Sequence, residues 1–227
     1  MLTPYDWQEG IGNRASYVEH KLVQGAPVLA VSLAAGIMVF TYRRQSRKIF
    51  EIYDRLGYSA IGQQNDVEAL RLAAIDFAHQ EGFVRSTEDV TIQRVVTALS
   101  QPIKKAFGDF GAAPIVVRSV LAEVGATPEE DRYYLLDYDG DYRASREFAV
   151  VAGDDRVARR LREAMPEVAK AANHDDAIKE LKRIWLAGFE TEEDRPDMTD
   201  LHPEIVLIHR SDARENRFQW LQGEDYA

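Results

Sequence analysis

Residues 28–62 read VLAVSLAAGIMVFTYRRQSRKIFEIYDRLGYSAIG, and the order of runs and breaks in this stretch decides the fold. An apolar run, Val28–Leu33, meets a small-residue turn, Ala34-Ala35-Gly36, and a second apolar run, Ile37–Phe40, follows. A basic link then ends in Arg47-Lys48-Ile49-Phe50, and a further strand closes on Gly62. Runs of Val, Ile and Phe without polar alternation suit strands buried on both faces. Small residues and a glycine between two such runs let the chain reverse in a few residues. A sheet buried on both faces needs helices above and below it, and three later segments have helical periodicity, so the rest of the chain is read around this hairpin.

The same stretch invites a membrane reading, because Leu22 to Phe40 carries no charge and nearly reaches the length of a span. Gly25, Pro27, Ser32 and Gly36 interrupt it, two of them at places that break a helix. A secretory signal is also a poor fit, since some twenty mixed residues including Asp6, Glu9 and Glu19 come first. The expectation is a soluble chain with no membrane partner. Its 227 residues fit one large domain, and an apolar content of 45% is ample for a core. Zero cysteines exclude disulfides, thiol catalysis and thiolate metal sites, and suit a cytoplasmic location. A net charge of −10 argues against general nucleic-acid binding.

Taken in order, Met1–Asp6 reads as a mobile lead containing Pro4, and residues 7–23 as a helix. Trp7, Ile11, Ala15, Val18 and Leu22 give that helix only a thin stripe, which suits a neighbouring subunit better than the core. Beyond Gly62, Asn65 or Asp66 can cap a helix striped by Val67, Leu70, Ala74 and Phe77. Asp89 can cap a second, carrying Ile92, Val95, Val96, Leu99, Ile103 and Phe107, with Pro102 expected to kink or split it. Strands are expected at Pro114–Val124, Tyr133–Asp137 and Phe148–Ala152, with a hairpin turn at Asp139-Gly140-Asp141. Two helices follow, one lined by Val157, Leu161 and Ala164, the other by Ile178, Leu181 and Trp185 with Asp175 as cap. Glu204–His209 and Arg217–Leu221 form a closing strand pair. Two helices between each set of strands predict an α+β fold, a four-layer αββα sandwich with an extra N-terminal helix.

Common chemical signatures are missing. The sequence has no glycine-rich phosphate loop, no Gly-x-Ser-x-Gly elbow and no His-Glu-x-x-His. His20, His79, His174, His202 and His209 never fall at metal-ligand spacing and read as surface or boundary residues. Asp137, Asp139 and Asp141 alternate like a calcium loop but lack its closing glutamate, so a solvated turn is the reading. No metal and no cofactor is expected.

The stretch Gly25–Gly62, with Arg43-Arg44, Lys48-Ile49 and Ser59-Ala60-Ile61-Gly62, resembles proteasome subunits. So do Tyr53-Asp54-Arg55-Leu56-Gly57-Tyr58, the Asp137–Gly140 turn followed by Val150-Val151-Ala152-Gly153, and the closing segment from Glu204-Ile205-Val206-Leu207 to Trp220-Leu221. The resemblance covers about residues 7–221 and is nearest to bacterial α-type subunits. It implies the N-terminal nucleophile hydrolase fold in its non-catalytic branch. Catalytic β-type subunits of that family expose a threonine at the start of the first strand, whose own amine and a lysine manage the proton. The matching position here falls near Ala26-Pro27, and the acidic residue expected after the second strand is replaced near Tyr42.

The resemblance also assigns candidate sites. Lys48 matches a lysine that in α-type subunits lines a pocket between neighbours and pairs with the C-terminal carboxylate of a docking ATPase or activator. Gly25 and Gly62 match small residues lining that pocket, though each also ends an element, and Lys48 read alone is an ordinary surface lysine. Thr3, Pro4, Tyr5, Asp6 and Tyr17 match a gate over the axial pore, with Trp7 in place of the usual arginine. The implied function is a non-catalytic subunit of a heptameric outer ring, a homo-oligomer of α-type subunits stacked on β-type subunits. Ring contacts fall to the 7–23 helix and the helix from Asp66 to Glu81. One domain, 1–227, comprises the lead 1–6, the helix 7–23, the core 28–221 and a tail 222–227. Rival readings are a self-processing hydrolase or catalytic β-type threonine protease subunit with Thr3 or Ser32 as nucleophile, and a free-standing scaffold ring.

Overall fold

A computed structural model describes residues 4–171, 173–191, 194–211 and 216–221. The N-terminal helix α1 spans Pro4–Leu22, and four strands follow: β1 Val28–Leu33, β2 Gly36–Arg43, β3 Ile49–Tyr53 and β4 Leu56–Gly62. Helices α2 (Gln64–Val84) and α3 (Ile92–Gly108) separate these from β5 Val117–Glu123, β6 Arg132–Leu136, β7 Tyr142–Ser145 and β8 Phe148–Val151. Helices α4 (Asp155–Ala164) and α5 (His174–Ala187) precede β9 His202–His209 and β10 Phe218–Trp220.

The strands form two five-stranded sheets, ordered β10-β9-β2-β1-β8 and β3-β4-β5-β6-β7. Every pairing is antiparallel. Alternate residues of one strand feed different cores. Val28 and Ala30 of β1 join Ile37, Val39, Val120 and Tyr133 between the sheets. Leu29 and Val31 instead pack with Leu161, Ile178, Leu181 and Trp185 of the α4/α5 layer. On the far side, Tyr58 and Leu121 pack with Val67, Leu70, Val95 and Leu99 of α2 and α3. The unbroken apolar runs therefore reflect strands with no solvent face, and the four-layer αββα arrangement is present as expected.

Several local expectations need correction. Pro4, Tyr5 and Asp6 are the first turn of α1 and no mobile lead. Proline's fixed φ suits a helix start, and an aspartate in the first turn favours the helix dipole. Thr3 lies outside the described residues, as do the tail residues 222–227. The stripe of α1 also reaches the core, where Val18 and Leu22 are completely buried. The N-cap residues of α2 and α3, Gln63 and Thr91, make no side-chain cap bond, and the first amide of α3, that of Ile92, donates instead to the Glu123 carboxylate of β5 (2.9 Å). The Asp66 carboxylate accepts from the Val116 N–H (2.8 Å), and that of Asp89 from the Ser86 hydroxyl (3.0 Å). Asn173, not Asp175, caps α5 by accepting from the Asp176 N–H (2.9 Å). Pro102 does not split α3, because it lies on the exposed face where its missing N–H leaves the carbonyl one turn back open to water. His209 is buried, with Nε2 2.6 Å from Gln219 Oε1.

Register gives the sandwich two distinct ends. The β1–β2 turn, the β3–β4 turn, the start of β6 and the end of β9 share one. Gly36 is needed there: its φ is +150°, and a Cβ would stand 2.0 Å from Ile208 O. The α1–β1 link, the β2–β3 link, the end of β4 and the start of β9 share the other, and the candidate site is at that end.

Candidate functional site

At that second end a cavity of about 780 Å³ opens between the α1–β1 link, the β2–β3 link, the start of α2 and the lead into β9. Gly25, Lys48 and Gly62, which are remote in sequence, all line it. Each glycine also has a backbone reason. Gly62 has φ +142° and its Cβ would meet Val116 O at 2.0 Å; a Cβ on Gly25 would meet Ile61 Cβ at 2.8 Å.

Lys48 is not an ordinary surface lysine. Its Nζ donates to Ala26 O (2.6 Å) and to Thr41 Oγ1 (3.2 Å). The Thr41 hydroxyl in turn donates to Pro27 O (2.8 Å), so its oxygen is free to accept from the ammonium. Pro27 O also accepts from Trp185 Nε1 (2.9 Å), which fixes the chain at the entrance to β1. Behind the lysine, Glu204 of β9 accepts from the backbone N–H of Lys48 (2.9 Å) and from that of Ile49 (3.4 Å). Arg43 Nε approaches the same carboxylate at 3.9 Å. Burial lowers the Lys48 pKa to about 8, against the opposing pull of Glu204. Burial likewise raises the Glu204 pKa, while the Lys48 and Ile49 amides and the Arg43 and Lys48 charges hold it down.

An ammonium has three hydrogens, and two are committed inside the chain. The third has no acceptor among the described residues. The arrangement holds a point charge on short tethers beside an open space, which suits an anionic chain end.

Proton chemistry of the catalytic branch would need a nucleophile here. The main chain that faces Lys48 at the matched position is the carbonyl of Ala26, and neither Ala26 nor Pro27 has a nucleophilic side chain. Thr41 is within reach of the amine but is completely buried, and its proton is given to Pro27 O. Ser32 lies at the opposite end of β1, where its hydroxyl is 2.8 Å from that of Tyr133.

Of the proposed gate residues, Tyr5, Asp6 and Tyr17 do not line this cavity. Pro4, Tyr5 and Asp6 open α1, and from Tyr5 to Leu22 the helix runs roughly 25 Å at about 1.5 Å per residue. Tyr5 is 75% exposed and Tyr17 46%, the latter with Lys21 Nζ 5.9 Å from its ring centroid. Thr41 and Glu204 were missed by sequence reasoning. Their signal was polarity inside apolar runs: they are cross-strand partners in the β2–β9 register. Among the described residues no group of three or more His, Cys, Asp or Glu could hold a metal. Among them, too, no helix is long and apolar enough to cross a membrane.

The proteasome-subunit family model matches residues 23–201. The chain is 30% identical over 219 residues to the proteasome subunit alpha of Thermobifida fusca, covering 95% of this chain and 84% of that one. It is 31% identical over 214 residues to the proteasome subunit alpha of a Nocardioides species, with 92% and 81% covered. The protein of that name from Kineococcus radiotolerans is 31% identical over 239 residues, with 98% and 95% covered. With a four-layer sandwich, a lysine at the cavity and a match over most of its length, the chain belongs to the proteasome subunit family.

Proposed function

We propose that this chain is a non-catalytic α-type subunit of a 20S proteasome core particle in the cytoplasm. Copies of it form the outer, heptameric ring on rings of β-type subunits, and its Lys48 cavity takes the C-terminal carboxylate of a regulatory ATPase or activator. One observation carries the reading: Lys48 sits in place, but what faces it is the Ala26 carbonyl instead of a nucleophile. The names of the relatives above agree with it. Large apolar side chains left in solvent support assembly, with Tyr5, Trp7 and Tyr17 exposed on α1 and Leu72, Phe83 and Val84 on α2. The gate falls to α1 and whatever precedes it, since Pro4–Asp6 are already helical.

The test assembles the chain with a candidate β-type partner and measures native mass, peptide hydrolysis and labelling by a threonine-directed covalent inhibitor. Stacked rings in which only the partner is labelled are expected. Stoichiometric labelling of this chain, or an intact mass showing autoprocessing to a new N-terminus, would overturn the reading in favour of a self-processing hydrolase. Rings that never take up a β-type partner would leave a free-standing scaffold.

A further inference from the structure

Lys48 and Glu204 are opposite charges held close together, yet the carboxylate is bonded to the lysine's main chain and not to its ammonium. Oε2 of the buried Glu204 accepts from the Lys48 N–H (2.9 Å), and Oε1 reaches both that N–H (3.2 Å) and the Ile49 N–H (3.4 Å). The ammonium of the same lysine is bonded to Ala26 O and Thr41 Oγ1. A carboxylate closed directly onto Nζ would take the remaining ammonium hydrogen, and an incoming chain end would have to displace it. Spending its oxygens on two amides, Glu204 lends its charge to the lysine and leaves that hydrogen open.

The other charged and titratable groups nearby are turned elsewhere or stand at the cavity wall. Arg43, at the end of β2, faces Glu204 at 3.9 Å and donates to the carbonyls of Arg44 (3.0 Å) and Gln45 (3.1 Å). Arg47, beside Lys48 in the β2–β3 link, lies over the Trp220 ring, 4.2 Å from its centroid. On α2, the Asp66 carboxylate is engaged by the Val116 N–H. Tyr42, Arg44, Asp200 and His202 line the cavity. Burial works against the Lys48 charge, and the pull that opposes burial comes from Glu204.

We propose that Glu204 is a positioning residue of the docking site, a countercharge held off the ammonium that keeps Lys48 both charged and free to bind an incoming carboxylate. The inference rests on the docking reading above and deepens it by naming what holds the lysine in its binding state. Two consequences follow from the geometry. Charge and hydrogen bonding at Glu204 can be separated, because Oε1 alone reaches both amides and a glutamine has that oxygen. The same negative charge also stands behind the site of an anion, so it repels the ligand that it helps Lys48 to bind. Removing it should therefore weaken docking at high pH and not at low pH.

Binding of a fluorescein-labelled Gly/Ser octapeptide ending in leucine, as free acid and as amide, to the assembled particle tests this by polarisation from about pH 6 to 9.5. In the parent the free acid should lose affinity above about pH 8. In Glu204→Gln the loss should begin about one pH unit lower, which makes binding about threefold weaker at about pH 7.5. At about pH 6, where Lys48 is charged in both, the variant should bind at least as tightly as the parent. Glu204→Asp keeps the charge, so its loss should begin near the parental pH even where the shorter side chain lowers the melting temperature. Acetylation of Lys48 by acetic anhydride in the free particle, followed against pH by mass spectrometry, should shift with the Gln variant and not with the Asp variant. Both profiles are repeated with His202→Gln, so that an imidazole at the cavity is not their source. If Glu204→Gln begins its loss at the parental pH, or is weaker by one factor at every pH, the inference is overturned while docking at Lys48 stands. Free acids binding no better than amides in the parent would overturn the docking reading itself.

Discussion

Two cations stand at opposite ends of the sandwich, and the number of hydrogens each has left to give separates their roles. Arg210, just past β9, spends all five guanidinium N–H groups within the chain. Nε donates to Ala34 O (3.3 Å), one terminal nitrogen to Gly125 O (2.8 Å) and Asp131 Oδ1 (2.6 Å), the other to Leu33 O (2.9 Å) and Asp131 Oδ2 (3.0 Å). Asp131 is completely enclosed and also accepts from the Gly125 N–H (2.8 Å). Arg210 thus pins the β1–β2 turn to the β5–β6 link and has nothing to offer a ligand. Lys48 spends two of three and faces a cavity. A saturated buried cation closes a structure, whereas an unsaturated one beside open space is available to a partner.

The largest expected effect probes the saturated end. Asp131→Ala would leave the Arg210 charge enclosed without its carboxylate, a change that costs about 3–5 kcal/mol for buried pairs. Urea denaturation should show that loss, with docking affinity of the surviving folded particle unchanged. A loss no greater than that of Lys48→Ala would break the comparison, since the two ends would then be equally structural.

At the other end, Lys48→Ala should leave the particle assembled but weaken docking of the partner tail. A charge-assisted hydrogen bond contributes about 1.5–3 kcal/mol, so affinity should fall about ten- to hundredfold per engaged tail. ATPase-stimulated degradation of an unfolded protein, with ring integrity followed by native mass, measures it. Parent-like stimulation in the variant would return Lys48 to a purely structural part, like Arg210. Lys48→Arg should restore docking only in part, because a planar guanidinium needs more room between Gly25 and Gly62 than a compact ammonium.

The two ends were not equally legible in the sequence. The hairpin 28–43 could be read because its strands have no solvent face, so composition alone marks them. Lys48, Gly25 and Gly62 were grouped through a family resemblance, and in the structure all three line one cavity. Helix caps were misread at Asp66, Asp89 and Asp175 because several Asp and Asn residues stand near each helix start. Which one caps is decided by rivals for the carboxylate, such as the Val116 N–H just ahead of β5, fifty residues away. Glu204 and Arg210 were opaque for a similar reason. Their partners Lys48 and Asp131 lie 156 and 79 residues away, and no local pattern announces a charge that is neutralised across the fold.

Acidity sharpens the contrast further. Burial holds the Lys48 pKa near 8 where an unfolded lysine titrates at 10.5, so between these values the unfolded chain binds more protons. Stability should therefore rise with pH from about 8 to 10.5, and the rise should be absent in Lys48→Met. Docking should move the opposite way, because the carboxylate needs the ammonium. Affinity should be flat below pH 8 and fall above it, by up to about tenfold per pH unit, with proton uptake on binding detectable by calorimetry in two buffers. Lys48→Arg should abolish the fall. A docking profile flat to pH 10 in the parent would mean that the ammonium makes no contact with the bound tail.

The smallest effect concerns the tether. Thr41 is a β2 residue with no exposure, and its hydroxyl stands between Lys48 Nζ and Pro27 O. Thr41→Val keeps the shape but removes both bonds. Pro27 O retains the Trp185 N–H, so its carbonyl is not orphaned, and the net cost to stability should be about 0.5–1.5 kcal/mol. The ammonium fares worse, for it keeps only Ala26 O inside the chain and its charged form loses a stabilising acceptor. Its pKa should fall further, and the high-pH limb of docking should begin at lower pH, while Thr41→Ser, which restores the hydroxyl, should return the limb to its parental place. That displacement separates a positioning residue from one that merely packs: a packing defect at Thr41 would lower stability in both variants and leave the limb where it was.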